Sequence, residues 1–536
     1  MKTQVRNYEY EFATLIYLIL VIPFISNLPV SESVYFWFEA ESWNKVFNNS
    51  WHPPFYLIIL RLFKLFTNNA IWGGYIPGLL SVVISGWLIK KVILENFTNE
   101  IRTGNLLLIL ICYYSLPVII QGTFILDIDN TVLTPVLILL TYCGIRWHKN
   151  NNKTNLIVLG LILFLSLWIK MTTPLIWMSS FFVFLLVRKK IKNIIYKIFP
   201  LFIIVLIAFW FSYGFLYTKL ILSDIGSFQF SGAKALDLIL GKNTFQNSFD
   251  HLIFSLVSNT GAIMIWSSPI LILLLLTIIP KNIIKLNDLQ ILCLINVLFI
   301  YIAYTFVLKI QATAGFPKYH YPMYAFLLIL VSNYLIRIEV NFNWYVLSTA
   351  VMLTTLYIYF IGDPIINFYI FGREKKYYDI IKYFGILLFI ITLFVIAIKF
   401  LLLKINLNES LLLPIVLTLI ITNTASWVSR ANANYSTNYW YGTKGILETI
   451  IFSNKLPKDK TVYFPFMGLF LKERGNLTPY GDIKNDDFTK PNSDYIIMTS
   501  RLIDSGNWFF KRDYLEKKYS LSKKIFDFEI LVKNER

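Results

Sequence analysis

Cysteine and histidine are scarce in this chain of 536 residues, at three and four respectively. Cys112, Cys143 and Cys293 all fall in apolar stretches, where they read as small core hydrophobes with no bridge to make, silent on redox compartment. No two histidines are spaced along one helix, so a zinc site has weak support. Charge is sparse as well: 15% of residues are charged and 56% hydrophobic, with a mean hydropathy of +0.60, which excludes a soluble enzyme. Acids are outnumbered 31 to 49 by Lys and Arg, a net charge of +18. The excess lies in clusters between apolar segments, as in cytoplasmic loops beside anionic lipid, and this argues against a nucleic-acid partner. No internal repeat of the kind common in transporters is visible. No small-residue cleavage pattern follows the apolar residues 12–30, and Lys2 and Arg6 precede them; the segment reads as a retained signal anchor with a cytoplasmic N terminus.

What is there is a succession of Leu, Ile, Phe and Val runs. With about 20 residues per crossing they predict about 13 transmembrane helices, an all-α polytopic membrane domain over residues 1–428. The basic clusters Lys90–Lys91, Arg146–Lys153, Arg188–Lys197, Lys281–Lys285, Arg337 and Lys399–Lys404 recur at every second turn and all fall cytoplasmic. The remaining loops then face outward. They hold Glu32, Glu39 and Glu41, Asp127 and Asp129, Lys170, residues 223–258, Lys309–Tyr321 and Asp363–Lys382, and the chemistry is expected there.

Residues 155–187 are almost wholly apolar, yet both flanks are basic, so the segment must turn back on itself. Each arm is then about 15 to 17 residues, at or below spanning length, and the tip Lys170-Met171-Thr172-Thr173-Pro174 lies just beneath the outer surface. An ammonium at that depth persists most readily beside an anion or a wet cavity. Lys170 is thus a candidate phosphate ligand, the alternative being a snorkelling lysine at a helix end. A second cation, Lys318, stands in Ala314-Gly315-Phe316-Pro317-Lys318-Tyr319-His320-Tyr321-Pro322, where Gly and Pro breakers run into an apolar helix. An ammonium beside two tyrosines and a histidine, next to helix N-terminal amides, suits a phosphate or pyrophosphate; the plainer reading is an interfacial anchor.

The loop after the first apolar segment, Glu32 to Phe66, combines acids, tryptophans and His52-Pro53-Pro54, and reads as one wall of an active site. His52 orients the loop, and the proline pair redirects the chain into an interfacial helix, Phe55–Phe66, with Arg61 and Lys64 on its polar side. Asp127-Ile128-Asp129 has the D-x-D form that holds divalent cations. Metal binding, polarising an acceptor or supporting a base, and a solvated helix cap all stay open for it. No cofactor is expected, and a divalent cation is not favoured.

Beyond Ser429 the apolar spans stop and charges return, which predicts a small α/β extracytoplasmic domain over residues 429–536. Thr443–Phe452 reads as an amphipathic helix, and Thr461–Phe464, Tyr495–Thr499 and Ile525–Val532 as strands. The stretch Tyr439-Trp440-Tyr441-Gly442 lacks the internal Asp of the oligosaccharyltransferase signature, so that identity is set aside.

The motifs HPPFYLIILRLF at 52–63, IKMTTP at 169–174 and FPKYHYPMYAFLLIL at 316–330, in that order, carry a resemblance to one family. The chain resembles the C-type glycosyltransferases of the protein O-mannosyltransferase and aminoarabinose-transferase branch, family 39-like, over residues 10 to about 400 and the external tail. The resemblance implies a membrane enzyme that takes a sugar from a polyprenyl-phosphate donor on the outer face, with inversion; hexose (hexosyltransferase), pentose (pentosyltransferase) and amino-sugar donors all stay open. The acceptor is a hydroxyl of a glycolipid, protein or surface polysaccharide. The family carries an acid early in the first outer loop, matched here by Glu32 in Ser31-Glu32-Ser33 where an Asp-Glu pair is usual; Glu39 and Glu41 are the alternatives. A hydroxyl is a poor nucleophile, so a carboxylate within reach is needed to take its proton, and Glu32 is the expected base. Lys170 and Lys318, with Tyr319, are expected to hold the lipid phosphate as its charge grows. Asp127 and Asp129 are expected to assist catalysis, and Glu39, Glu41, His52 and His320 to position substrate. A transporter or flippase of lipid-linked sugars is the competing reading.

Overall fold

The computed structural model describes residues 8–25, 36–37, 39–48, 53–66, 70–97, 101–217 apart from 103, short stretches between 253 and 271, and 286–307. It further describes 318–359 apart from 337 and 341–342, 409–435, and 439–534 apart from 441–442, 466, 472–473, 475–480, 483–491 and 500–511. Helix α1 (Glu9–Val21) is followed by two short amphipathic helices, α2 (Trp43–Asn48) and α3 (Phe55–Phe66). Next come α4 (Ala70–Phe97), the bent pair α5 (Asn105–Ser115) and α6 (Pro117–Phe124), α7 (Thr134–Asn150), α8 (Lys153–Ile169), α9 (Thr172–Val187) and α10 (Phe199–Phe209). Helices α11 (Asp288–Ile302), α12 (Tyr321–Leu335), α13 (Trp344–Tyr357) and α14 (Glu409–Tyr435) complete the apolar part among the described residues.

The breaks between these helices follow from their sequences. Leu116 precedes Pro117 and is extended at ψ 128°, because the proline ring disfavours a helical residue before it, and α5 and α6 meet at 57°. Asn151 ends α7 in the left-handed region (φ 51°), and the Asn152 side chain then caps α8 by accepting from the Thr154 N–H. Asn287 and Gln290 form a reciprocal capping box at the start of α11. Glu9 accepts from the N–H groups of Gly104 and Leu107, so a carboxylate of α1 satisfies the positive end of α5.

Among the described residues three helical stretches are long and apolar enough to cross a membrane: Tyr75–Phe97, Ile191–Tyr217 and Asp288–Val307. The pair α5–α6 makes a fourth if counted as one span. The multi-pass helical architecture is therefore present, whereas about 13 crossings are not established by these helices; residues 218–252, 272–285 and 360–408, with several of the expected spans, lie outside those described. The expected hairpin over residues 155–187 is seen as α8 and α9. At 17 and 16 residues each arm is about 25 Å long, short of an apolar layer about 30 Å thick.

Helix α3 buries Tyr56, Leu57 and Leu60 and exposes Leu62, Leu65 and Phe66. Its Arg61 donates to the Glu41 carbonyl (2.5 Å) and its Lys64 to the Trp37 carbonyl (2.6 Å), which ties it to the loop before it. Close helix packing is fixed by small residues. A Cβ on Gly78 of α4 would stand 2.4 Å from the Thr123 carbonyl of α6, and one on Gly122 would stand 2.5 Å from the Tyr321 ring of α12.

Helix α14 continues through residue 428 to Tyr435, and beyond it lies a small mixed unit. Strands β1 (Tyr439–Trp440) and β2 (Thr443–Lys444) pair antiparallel, then α15 (Ile446–Asn454) begins, so the helix expected from Thr443 starts three residues later, after left-handed Gly445 (φ 96°). Strands β3 (Val462–Tyr463) and β4 (Tyr495–Thr499) lie in one sheet with β5 (Tyr519–Ile525) and β6 (Phe528–Lys533), in the order β3-β4-β6-β5. The single strand expected over Ile525–Val532 is thus the second half of a hairpin. Phe526 adopts φ 48° and turns the chain there.

Candidate active site

The hairpin tip, the loop before α7 and the start of α12 converge. Lys170 is the extended residue (φ −160°) that ends α8, and Pro174 lies in the first turn of α9, where a missing N–H costs nothing. The Lys170 ammonium donates to both carboxylate oxygens of Asp129, at 2.8 and 2.6 Å, and both side chains are almost fully buried. Asp129 opens a π-helical turn, Asp129–Leu133, that leads into α7. Pro135 in the next turn has no N–H to continue an α-helical ladder, and such turns often mark functional sites. The turn is pinned by Thr134, whose hydroxyl donates to the Asp129 carbonyl (2.7 Å), and by Ser81 of α4, which donates to the Asn130 carbonyl (2.7 Å). Asn130 donates to the carbonyls of Gly122 and Ile125.

Asp127 stands two residues earlier. One carboxylate oxygen accepts from the Asp129 N–H (3.1 Å) and the other lies 3.7 Å from the Lys318 ammonium. Lys318 opens the turn Lys318–His320 that precedes α12. Tyr319 stands close to both cations: its ring centre is 4.7 Å from the Lys170 ammonium and 4.9 Å from that of Lys318. Tyr304 closes the other side. Its hydroxyl is 2.7 Å from the Thr173 hydroxyl and 3.3 Å from that of Thr172, and its ring stands 5.4 Å from Tyr319 and 5.7 Å from His320. His320 is buried, and neither ring nitrogen has a hydrogen-bond partner among the described residues.

Five residues singled out in the sequence, Asp127, Asp129, Lys170, Lys318 and Tyr319, thus form one cluster, with His320 at its edge. Glu41 does not join it: its carboxylate pairs with Lys45 at 2.8 Å on an exposed helical turn. Glu39 is half-buried in the turn before α2. Glu32 and His52 lie outside the described residues. Tyr304 and Thr173 belong to the cluster without having been singled out; a tyrosine near the end of an apolar helix carries no spacing signal of its own. The carboxylates of the D-x-D pair each face an ammonium.

The opposite ends of the same helices carry the basic residues. Asp288 at the start of α11 pairs with Arg188 after α9 (2.5 Å) and with His148 of α7 (3.1 Å). From Asp129 to His148 is about 30 Å at 1.5 Å per residue, one hydrocarbon thickness. The cluster and the basic residues therefore stand at opposite ends of one helical bundle.

The described chain is thus a multi-pass helical bundle with a buried acid–lysine cluster at one end and a small sheet beyond its last long helix. Residues 51–214 match the family model described as dolichyl-phosphate-mannose-protein mannosyltransferase. The fold as a whole matches the crystal structure of ArnT from Cupriavidus metallidurans bound to undecaprenyl phosphate, with a TM-score of 0.59 and 11% identity over 99% of this chain and 98% of that one. It also matches ArnT from the same organism in the apo state, with a TM-score of 0.53 and 11% identity over 97% of each chain. No curated protein matches the chain in sequence. The resemblance to C-type, family 39-like glycosyltransferases carried by the three motifs is borne out.

Proposed function

We propose that the protein transfers a sugar from a polyprenyl-phosphate carrier to an acceptor hydroxyl at the outer face of the membrane. The observation that carries this reading is the buried cluster. Asp127, Asp129, Lys170 and Lys318 come from three distant segments and meet among Tyr304, Tyr319 and Thr173 at one end of the apolar helices. Assembling two ammoniums and two carboxylates away from water costs several kcal/mol per ion before they pair, so such a group in a membrane bundle points to function. The match to a structure of ArnT bound to undecaprenyl phosphate supports a carrier of the same chemistry here.

A lipid-linked sugar would place its phosphate against Lys318, the more accessible ammonium, beside the N-terminal amides of α12. As the bond from the anomeric carbon to the phosphate oxygen breaks, the electron pair stays on that oxygen and the fixed cations favour the charge that develops. A carboxylate accepts the proton of the attacking hydroxyl, and Glu32 of the first outer loop is assigned that role. Direct attack inverts the anomeric carbon. Lysines hold the charge positions, so transfer needs no divalent cation and survives chelation. Hexose, pentose and amino-sugar donors all fit this chemistry, and the acceptor is a glycolipid, protein or surface polymer. Basic residues at the far end of the bundle face the cytoplasm in this orientation, with the C-terminal sheet outside.

The test is transfer of labelled sugar from a panel of polyprenyl-phosphate sugars in membranes holding the intact protein, beside Glu32→Gln and Lys318→Ala forms of verified expression. Carrier-dependent transfer, lowered at least a hundredfold by each change, is expected for a general base and a charge-stabilising group. Movement of lipid-linked sugar across the membrane without turnover would replace the transferase by a flippase.

A further inference from the structure

The two ion pairs of the cluster are built differently. Lys170 and Asp129 make two short hydrogen bonds with side chains 7% and 2% exposed, and the ammonium lies over the rings of Tyr319 and Tyr304. This pair is closed. Lys318 and Asp127 are 3.7 Å apart, beyond hydrogen-bonding distance, and Lys318 is 20% exposed. Their attraction is Coulombic, without the directional bonds that make the first pair costly to open.

We infer that Asp127 is a placeholder for the donor phosphate: its carboxylate neutralises Lys318 while the site is empty, and the incoming phosphate displaces it from the ammonium. This rests on the proposed donor class and assigns the two lysines different work. Lys318 exchanges partners with the ligand, and Lys170 stays on Asp129 and holds the hairpin tip in place. Four features support it. The Asp127 carboxylate has a second anchor, the Asp129 N–H, so it keeps a bond when Lys318 turns away. The Tyr319 ring lies 4.7 and 4.9 Å from the two ammoniums, so Lys318 keeps an aromatic neighbour while it changes anions. Lys318 adjoins the N-terminal turn of α12, where Pro322 lies and backbone amides are free of helical partners. Among the described residues the cluster holds two acids and two lysines, so a phosphate that gains a cation from it takes one that faces a carboxylate. Competition of this kind makes donor affinity a difference between two anions at one ammonium, which a carboxylate variant shifts in a predictable direction.

Binding of undecaprenyl phosphate to the purified full-length protein, by titration under native mass spectrometry, tests it. Asp127→Asn removes the competing charge and is expected to tighten binding about tenfold. Asp127→Glu lengthens the carboxylate toward Lys318 and is expected to weaken it by a similar factor. In Asp127→Asn combined with Lys318→Gln the gain is expected to vanish, because no ammonium is left to release. Unchanged or weaker binding in Asp127→Asn, with a monodisperse gel-filtration profile, overturns the placeholder. If that variant does not remain monodisperse, Asp127→Glu decides: equal or tighter binding overturns the inference. Failure of the unsubstituted protein to bind undecaprenyl phosphate at all instead overturns the proposed donor class.

Discussion

At the residue scale the cluster separates charge that holds structure from charge that can be exchanged. The Lys170–Asp129 pair is buried and doubly hydrogen-bonded, so removing one partner leaves an uncompensated charge in the bundle. Lys170→Met alone is expected to cost about 3–5 kcal/mol of stability, read as a large fall in the temperature at which the detergent-solubilised protein loses its monodisperse peak. Lys170→Met with Asp129→Leu is expected to recover most of that loss, because two apolar groups leave no charge unpaired. A second carboxylate, Asp494, stands just before β4 of the small sheet. Burial works against its charge, and hydrogen bonds from the Thr461 N–H and hydroxyl, with Lys460 and Lys533 nearby, outweigh that and hold its pKa below the usual carboxylate range. A depressed carboxylate stabilises the fold above its unfolded pKa, about 3.9, and that stability is lost as pH falls through the lower folded value. Hydrogen exchange of β4 in the full chain is therefore expected to speed up more below pH 4 than exchange in α9, and Asp494→Asn is expected to remove that difference.

At the element scale the interfacial helix Phe55–Phe66 and the turn at Lys170 were the readable parts. The apolar run 155–187 between basic flanks could satisfy both charge rules only by turning back, and α8 and α9 do so at Lys170. Asn152, Asn287 and Asn343 each cap the helix that follows, in keeping with the local chemistry of that side chain. Asn287→Ala is expected to cost about 1 kcal/mol, read as faster hydrogen exchange in the first turn of α11. The π-helical turn at Asp129 was not readable, because it depends on Ser81 and Thr134 holding the chain around Pro135. The strand expected over Ile525–Val532 began three residues too early, and β5 before it was not expected. Phe526 is a hydrophobic residue in a left-handed turn, and hydrophobic patterning reads it as strand.

At the scale of the whole molecule the bundle keeps two ends apart. His148, Asp288 and Arg188 bind the ends of α7, α9 and α11 to one another about 30 Å from the cluster that joins the start of α7, the start of α9 and the turn before α12. The three native cysteines are buried and give little background for thiol labelling. In intact cells a cysteine placed at Lys149 is expected to resist a membrane-impermeant maleimide, and one placed at Lys523 to react with it. Labelling in the reverse pattern would invert the proposed orientation.

The sequence by itself determined that this is a multi-pass helical membrane protein, which segment turns back, and which residue types stand at one face. Those follow from hydropathy and flank charge, both properties of contiguous residues. It also marked Asp127, Asp129, Lys170 and Lys318 one at a time, because each is an ion that an apolar surrounding would otherwise reject. Tertiary structure decided which ion meets which: that Asp129 closes on Lys170, that Lys318 stops 3.7 Å from Asp127, and that Tyr304 and Tyr319 wall the pair. Partnership between residues 41 and 191 positions apart is set by how helices rotate and pack against one another, and neither periodicity nor composition encodes that angle.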